Sequence, residues 1–321
     1  MGALFGTGLS QHARLITLAS AQDRGLPESL MVEQFTGREA VNELFTFDVD
    51  ALSVSTDLEL SVFIGEELTI TLLQPNGSRR AWHGLCTQAS WLGADGGVAR
   101  YRLRLVPALA MLAQRRDSYI FQDKNAQDIV TELLSNYPQL RFEFDITQEV
   151  PRREICTQYR ESDLEFLTRL LVSEGLSWRF EHDQIDDQAD EQGDGHAKHR
   201  LLIFDSKATA PATPGGDELR FHGVRATDTD DAIDEFRARR QVQSNAVSIS
   251  SWDPVQLVAP AAEQASSLDA GELPQLSIYD GSGERIASDA ADPHSQLMLQ
   301  ALELDNKVFD GAGAARRLGK H

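Results

Sequence analysis

Two histidines at the end of an acidic stretch are the residues best suited to binding a metal ion. His196 and His199 are three positions apart and follow several carboxylates. On a helix, imidazole nitrogens at this spacing could bind a divalent cation from one face. Gly193 and Gly195 lie among them and disfavour a helix. The chain also has no His-Glu-x-x-His or Cys-x-x-Cys motif, so we expect no purposeful metal site.

Three carboxylates could suggest glycoside hydrolysis, which uses a pair of acids around the sugar bond. They are Glu161, Asp163 and Glu174. Glu161 and Asp163 lie where we predict a helix to begin, and acidic side chains there complement the positive end of the helix dipole. This structural role is sufficient to explain them, so we predict no catalytic pair.

Aromatic and histidine side chains in predicted strands form another group with possible chemistry. Trp82, Trp91 and Trp178 could stack on a glycan, but their strand positions favour packing in a core. His83 and His182 also fall in predicted strands, where a hydrogen-bonded structural role is the better interpretation. No Gly-x-Ser-x-Gly elbow or phosphate-binding loop is present. We predict no catalytic, cofactor-binding or metal-binding residue, and therefore no enzyme.

The overall charge argues against nucleic-acid and membrane functions. Lys and Arg number 30 and Asp and Glu number 50, so the formal net charge is −20. Such an excess of acid repels phosphate backbones and anionic lipids. No apolar run approaches the roughly 20 residues that span a bilayer, and residues 1–11 lack the features of a secretory signal. We predict a cytoplasmic protein with no nucleic-acid partner and no direct membrane anchor.

The number of cysteines and the chain length limit the possible architectures. Cys86 and Cys156 are too few for a disulfide scaffold in 321 residues, and both fall in predicted strands as buried free thiols. That length predicts two or three domains. The predicted segments are a tail at 1–12, a β-barrel unit or curled sheet at 13–107, an α+β unit at 108–216 with an acidic loop at 183–199, and a second β unit with a C-terminal helix at 217–321.

Local signals refine this mainly β fold with an α+β middle. Asn76-Gly77 and Gly96-Gly97 favour hairpin turns. The acidic loop has few apolar residues, so we predict that it is mobile and solvated. In the last segment we predict a small-residue loop over 260–271 and a helix over 293–308 that ends before two glycines.

The segment 158–182 predicts a capped helix that leads directly into a strand. Ser162 can cap the helix, and Glu165 can complete a capping box. Gly175 ends the helix where a left-handed residue is needed. Apolar residues recur first at helical spacing and then at every second position. They are Leu164, Leu167, Leu170 and Leu171 in the helix, and Leu176, Trp178 and Phe180 in the strand.

This segment, QYRESDLEFLTRLLVSEGLSWRFEH, resembles the helix–strand unit of VgrG proteins, which form the spike of the type VI secretion system, and of the related phage baseplate hub. Other segments also resemble the N-terminal half of that family, so that the resemblance covers most of the chain. They are Glu28–Leu30, Phe35–Phe47, Phe63–Glu66, His83–Gly84, Arg115–Gln122 and the predicted helix near 293–308 with its following Gly-x-Gly.

The resemblance implies a phage baseplate hub-like fold, with two tube-like β-barrel units plus an α+β unit and no active site. It implies a homotrimeric spike base whose six β units seat on the hexameric Hcp tube. Baseplate components, effectors and adaptors are the further implied partners, and the type VI machine would export the protein without a signal peptide. Family members continue into an OB-like domain and a β-helical needle, so a sequence ending at His321 implies an excised fragment or a shortened protein.

Two other functions stay open from the residues alone. One is a cell-wall glycan hydrolase on a β scaffold, and the other is a carbohydrate-binding module. A solvent-open cleft with facing carboxylates would favour the hydrolase.

Overall fold

The computed structural model contains two compact units, one ending at Ala210 and the other spanning Pro211–Gly319. Strands far outnumber helices in both units, which confirms the prediction of a mainly β protein. The residues that the structure describes are 15–20, 26–74, 77–184, 198–209, 220–221, 232–253, 256–268, 271–281 and 291–313.

Six antiparallel strands open the first unit. They are β1 (Ile16–Ser20), β2 (Leu30–Arg38), β3 (Thr46–Ser53), β4 (Glu67–Leu73), β5 (Arg79–Asp95) and β6 (Val98–Val106). Their order in the sheet is β1-β4-β5-β6-β3-β2, so β1 and β2 lie at the two edges. In β6, Tyr101, Leu103 and Leu105 are fully buried while the arginines between them face outward. This alternation gives the sheet one apolar face.

Bulges curl this sheet. The register shifts between Val32 and Gln34 in β2 and at two points in β5, and each bulge strengthens the local twist. The edge strands β1 and β2 approach within 8 Å between Cα atoms, yet among the described residues no ladder pairs them. The predicted barrel is therefore an open, curled sheet in this part of the chain.

One of the two predicted hairpin turns is confirmed. Gly96 and Gly97 join β5 to β6 with φ angles of 59° and 81°. Glycine favours this left-handed pair because it has no Cβ. The other turn was predicted at Asn76, which lies outside the described residues.

A helix-bearing layer continues the first unit. Its elements are β7 (Arg116–Lys124), α1 (Ala126–Leu134), β8 (Phe142–Asp145), β9 (Arg153–Ser162), α2 (Asp163–Ser173), β10 (Ser177–His182) and β11 (His199–Phe204). Strand β11 pairs antiparallel with β10 and parallel with β8. Strands β7 and β9 form a separate antiparallel ribbon. Short 3₁₀ helices at Leu60–Val62 and Ala108–Gln114 complete the unit.

One hydrophobic core serves the curled sheet and the helix-bearing layer. It runs from Leu18 in β1 to Ile203 in β11 without interruption. Leu109 and Leu112, on the 3₁₀ helix that follows Pro107, are fully buried in it. The change of composition after residue 107 predicts a domain boundary there. In the structure that change marks a new element within a shared core.

The predicted helix α2 is confirmed with both of its ends. The Ser162 hydroxyl accepts from the Glu165 N–H at 3.2 Å, and the Glu165 carboxylate accepts from the Ser162 N–H at 2.7 Å. Gly175 follows with a φ of 66°. Leu167, Leu170 and their neighbours face the core, so the sequence pattern, the caps and the burial agree.

The second unit has shorter elements and a smaller core. They are β12 (Arg220–Phe221), β13 (Ala232–Ile233), β14 (Glu235–Arg240), β15 (Ala246–Ser250), β16 (Ala261–Ala265), β17 (Ser277–Asp280), α3 (Ala291–Glu303) and β18 (Lys307–Ala312). Strand β15 lies between β16 and β17, and β14 pairs with β18. Helix α3 packs on this three-stranded sheet.

Two predictions for the second unit are wrong. The segment 260–271, predicted as a loop, contains β16. Its sequence, AAEQA, has no strand preference, and pairing with β15 determines its conformation. The helix predicted over 293–308 ends at Glu303, and the chain then turns into β18, which pairs with β14 through Gly311.

Candidate functional site

Three histidines form a buried cluster where the curled sheet contacts the three-stranded sheet of the first unit, β10-β11-β8. His83 lies in β5, His182 ends β10 and His199 begins β11. The Nδ1 atoms of His83 and His199 are 2.8 Å apart. The backbone N–H of His83 donates to His182 Nδ1 at 3.1 Å. Phe45 packs against the rings of His182 and His199 with centroids 5.1 and 5.3 Å away. This histidine cluster therefore joins the two sheets.

The hydrogen bonds assign one proton to each imidazole. His199 Nε2 accepts from the Ala108 N–H at 3.1 Å, so His199 Nδ1 carries the proton and donates to His83. His182 Nδ1 is an acceptor, so its Nε2 carries the proton and donates to the Glu39 carboxylate at 2.9 Å. All three rings are neutral in this arrangement.

Burial lowers the pKa of His199 well below its ordinary value, and the neighbouring His83, His182 and Arg141 oppose a further positive charge. In the sequence, the spacing of His196 and His199 makes them the residues best suited to binding a metal ion. His199 instead lies in a strand with both nitrogens bound to protein groups, and His196 lies outside the described residues. Within the described ranges no three His, Cys, Asp or Glu side chains are grouped to hold a metal ion.

The predicted acidic loop over 183–199 is too long at both ends. The Asp183 N–H donates to the Lys198 carbonyl at 2.8 Å, which extends the β10–β11 pairing, and His199 belongs to β11. Residues 185–197 lie outside the described part of the chain. The prediction that they are mobile therefore remains a prediction.

The three carboxylates considered for glycoside hydrolysis each have a separate structural partner. Glu161 binds Arg169 at 2.7 Å, and Glu174 binds Arg153 at 2.6 Å. Asp163 and Glu174 lie at opposite ends of an 11-residue helix, so about 16 Å separates them along its axis. A hydrolytic pair requires carboxyl groups about 5–9.5 Å apart.

Asp163 stabilises the start of α2 from inside the protein. It is 1% exposed, and its two oxygens accept from the Tyr137 hydroxyl at 2.6 Å and the Gln158 amide at 2.7 Å. Burial and this carboxylate raise the pKa of Tyr137 to about 12. The buried aspartate thus has hydrogen-bond partners for both oxygens, as a charged group in a core requires.

An open cleft of about 730 Å³ lies beside the start of α2. No sequence pattern indicates this cleft, because its lining combines Arg116 with residues of the segment 160–169. We call it the arginine cleft; its lining residues are Arg116, Arg160, Glu161, Leu164, Glu165, Thr168 and Arg169.

The two glutamates of the arginine cleft are committed to structural contacts. Glu161 binds Arg169, and Glu165 caps the helix. The backbone N–H and the hydroxyl of Ser162 lower the pKa of Glu165 by hydrogen bonding to its carboxylate, and Arg116 adds to this effect. A general acid in glycoside hydrolysis requires a raised pKa. The cleft therefore does not have the chemistry of a hydrolase.

The predicted core positions hold for two of the three tryptophans. Trp82 and Trp178 are buried, but Trp91 is 54% exposed. Trp91 pairs with the buried Tyr101 and therefore lies on the core side of the sheet, but the core does not cover this end of β5, where Leu92 is exposed as well. Separately, none of the helices in the described ranges has the length and apolarity needed to cross a bilayer.

The curled sheet, the helix-bearing layer and the second β unit together define the architecture of a phage tail hub. The chain belongs to the phage tail baseplate hub (GPD) family, whose sequence profile matches residues 38–320. This membership confirms the resemblance found in the sequence.

Curated relatives include spike proteins of type VI secretion. The spike protein VgrG1c of Pseudomonas aeruginosa is 25% identical over 312 residues, which cover 97% of this chain and 41% of that protein. VgrG4b of the same organism is 28% identical over 291 residues, which cover 89% of this chain and 34% of that protein. The chain thus spans less than half the length of these relatives.

Solved structures show the same fold. The E. coli c3393 protein, a component of the type VI secretion system with structural similarity to the T4 tail proteins gp27 and gp5, matches with a TM-score of 0.55 and 25% identity over 70% of this chain and 56% of that one. A tail protein from Neisseria meningitidis MC58 matches with a TM-score of 0.63 and 11% identity over 95% of this chain and 83% of that one.

Proposed function

We propose that this chain forms the base of a trimeric type VI secretion spike, seats on the hexameric Hcp tube and helps to deliver effectors without catalysing a reaction itself. The observation that carries the proposal is the family match over residues 38–320 on a chain of two β-rich units. Three copies would present six such units, which is the number that a hexameric ring can accept.

The chemistry of the first unit supports a mechanical role. Arg102 and Arg104 form two-pronged ion pairs with Asp50 and Asp48 across β6 and β3. Hydrogen bonds from Arg102 lower the pKa of Asp50. Ionisable side chains here neutralise one another along the sheet, an arrangement that fixes strand register.

The proposed assembly has consequences for location and partners. We propose that the protein assembles in the cytoplasm with baseplate components and that the type VI machine exports it without a signal peptide. Effectors or their adaptors would bind to the full spike. Its similarity to longer spike proteins supports these partners.

Mass measurement in solution tests the proposal. Sedimentation of the chain with purified Hcp should give a complex of three chains with one hexameric ring, and the chain alone supplies the control. A mixture that sediments as two separate species at high micromolar concentrations would contradict it. Cell-wall fragments released by the chain, or saturable binding to a purified glycan, would favour the hydrolase or the carbohydrate-binding module instead.

A further inference from the structure

Arg160 has a strained backbone beside the arginine cleft. Its φ is 54°, in the left-handed region that favours glycine. Strands β7 and β9 pair Asp117 with Glu161 and Ser118 with Tyr159, so Arg160 is the extra residue of a bulge. A bulge re-aims its side chain, and strain of this kind often accompanies function. The bulge places the Arg160 side chain at the edge of the cleft.

Two guanidinium groups of the cleft, those of Arg116 and Arg160, have no hydrogen-bonded or ion-paired partner among the described residues. Arg169 binds Glu161 there. In the described part of the chain, neither Arg116 nor Arg160 forms a side-chain hydrogen bond or ion pair, although Arg160 lies 5.4 Å from the ring of Tyr159. Both are exposed in a chain with a net charge of −20. The local excess of positive charge favours a carboxylate from outside.

An apolar face adjoins these arginines. The register of β7 and β9 places three large side chains on the face opposite the buried Phe121 and Cys156. They are Ile120, Ile155 and Tyr159, which are 56%, 64% and 66% exposed. Tyr159 connects this face to Arg160. Large apolar side chains grouped next to charged ones are typical of a protein-binding surface.

We propose that the outer face of β7–β9 and the arginine cleft together bind an acidic segment of another protein. A carboxylate of that segment binds Arg116 and Arg160, and its apolar side chains cover Ile120, Ile155 and Tyr159. The surface favours an occupant with both properties, because two unpaired guanidinium groups attract a carboxylate and the neighbouring face gains from apolar contact. This surface goes beyond the proposed function, which requires neither the cleft nor the strained arginine.

Defined peptides test the proposal. An eight-residue labelled peptide of alternating Glu and Leu should bind the full chain more tightly than a Gln/Leu peptide and a Glu/Ser peptide, as measured by fluorescence anisotropy. Arg160→Gly removes the guanidinium and relieves the φ strain. We expect it to weaken binding of the Glu/Leu peptide about tenfold, the loss of one charge-assisted contact, while the melting temperature stays the same or rises.

A matched control separates charge from strain. Asp123 lies in β7 with a φ of 52°, so Asp123→Gly relieves similar strain without removing an arginine. It should leave the affinity unchanged.

Several results would overturn the proposal. They are equal binding of the Gln/Leu peptide, unchanged affinity in Arg160→Gly, and no saturable binding at about 1 mM peptide. If Arg160→Gly instead changes the sedimentation of the chain alone, the occupant is a second copy and the proposed partner is wrong.

Discussion

Two stacked phenylalanine pairs have similar geometry and very different surroundings. Phe121 and Phe166 in the first unit, and Phe236 and Phe309 in the second, each have ring centroids 5.4 Å apart. The first pair is 4% and 0% exposed, whereas the second is 55% and 50% exposed. The same ring contact closes a core in one unit and lies on the surface of the other. Burial, rather than ring geometry, should determine how much each pair stabilises its unit.

The cores around these pairs differ in the same way. The first unit has one continuous core of strands and helices. Among the described residues of the second unit, the core cluster has five buried members, which are Val247, Ile249, Ala262, Ala291 and Leu299. Strand β14 is exposed along its whole length, and a two-stranded ribbon is marginally stable alone. We therefore expect the second unit to be the less stable one.

The largest effect should come from opening the first core. Phe166→Ala removes a fully buried ring from α2, and we expect a loss of about 3–5 kcal/mol in the free energy of unfolding. Urea unfolding followed by circular dichroism measures it. Val172→Ala, on an exposed position of the same helix, is the control and should change stability by less than about 0.5 kcal/mol. Equal losses of stability in Phe166→Ala and Val172→Ala would contradict the burial of Phe166 in the core.

A pH effect should come from the histidine cluster. In the unfolded chain His199 titrates near pH 6.5, whereas its pKa in the fold lies well below that value. As the pH falls below about 6.5, the unfolded state binds a proton that the folded state does not. The free energy of unfolding should therefore decrease as the pH falls through about 6.5, and this contribution to stability should be fully present at higher pH.

The variant His199→Gln isolates this effect. The groups that face His199 are His83, His182 and Arg141, and Glu39 binds His182. The variant should be less stable at pH 7 but should lose most of the pH slope. A slope as steep as that of the unsubstituted protein would show that His199 is not the group responsible.

A smaller effect is expected for the exposed pair. Phe309→Ala should cost less than about 1 kcal/mol, because half of the ring is already in water. Thermal unfolding of the chain alone measures it. A loss as large as that of Phe166→Ala would show that the second pair is covered in solution, and the contrast between the two units would then be wrong.

The smallest effect should come from the acidic segment. Replacing residues 185–197 with a short Gly-Ser linker should leave the melting temperature nearly unchanged, because the replaced residues include few apolar side chains. Replacing 183–199 instead also removes His199 from the histidine cluster, and it should destabilise the first unit. Equal melting temperatures for the two replacements would contradict the role given to His199.

Local chemistry made much of the first unit predictable. The capping box of α2, the left-handed Gly175 and the alternation in β6 are each determined by neighbours within a few residues. Helix and strand periods are strong where one face is buried, and the first unit buries one face of most elements. The family resemblance rested on the same stretches.

Long-range pairing explains the failures. Strand β16 forms from AAEQA because β15 lies beside it, and β18 follows α3 because β14 is available to pair. Trp91 is exposed because β5 extends beyond the core at this end, and no local pattern reveals where the core ends. The histidine cluster joins residues up to 116 positions apart. The arginine cleft depends on the left-handed backbone of Arg160. An arginine in the sequence does not indicate such a conformation, as a glycine would.

The two buried thiols have a consequence for a chain that is exported as we propose. Cys86 and Cys156 are free and buried in the first unit. Burial raises the pKa of Cys86 to about 11, so its thiol stays protonated at neutral pH. Thiolates, rather than thiols, react with oxidants and disulfides. The folded chain should therefore keep Cys86 as a free thiol when it passes from a reducing to an oxidising compartment.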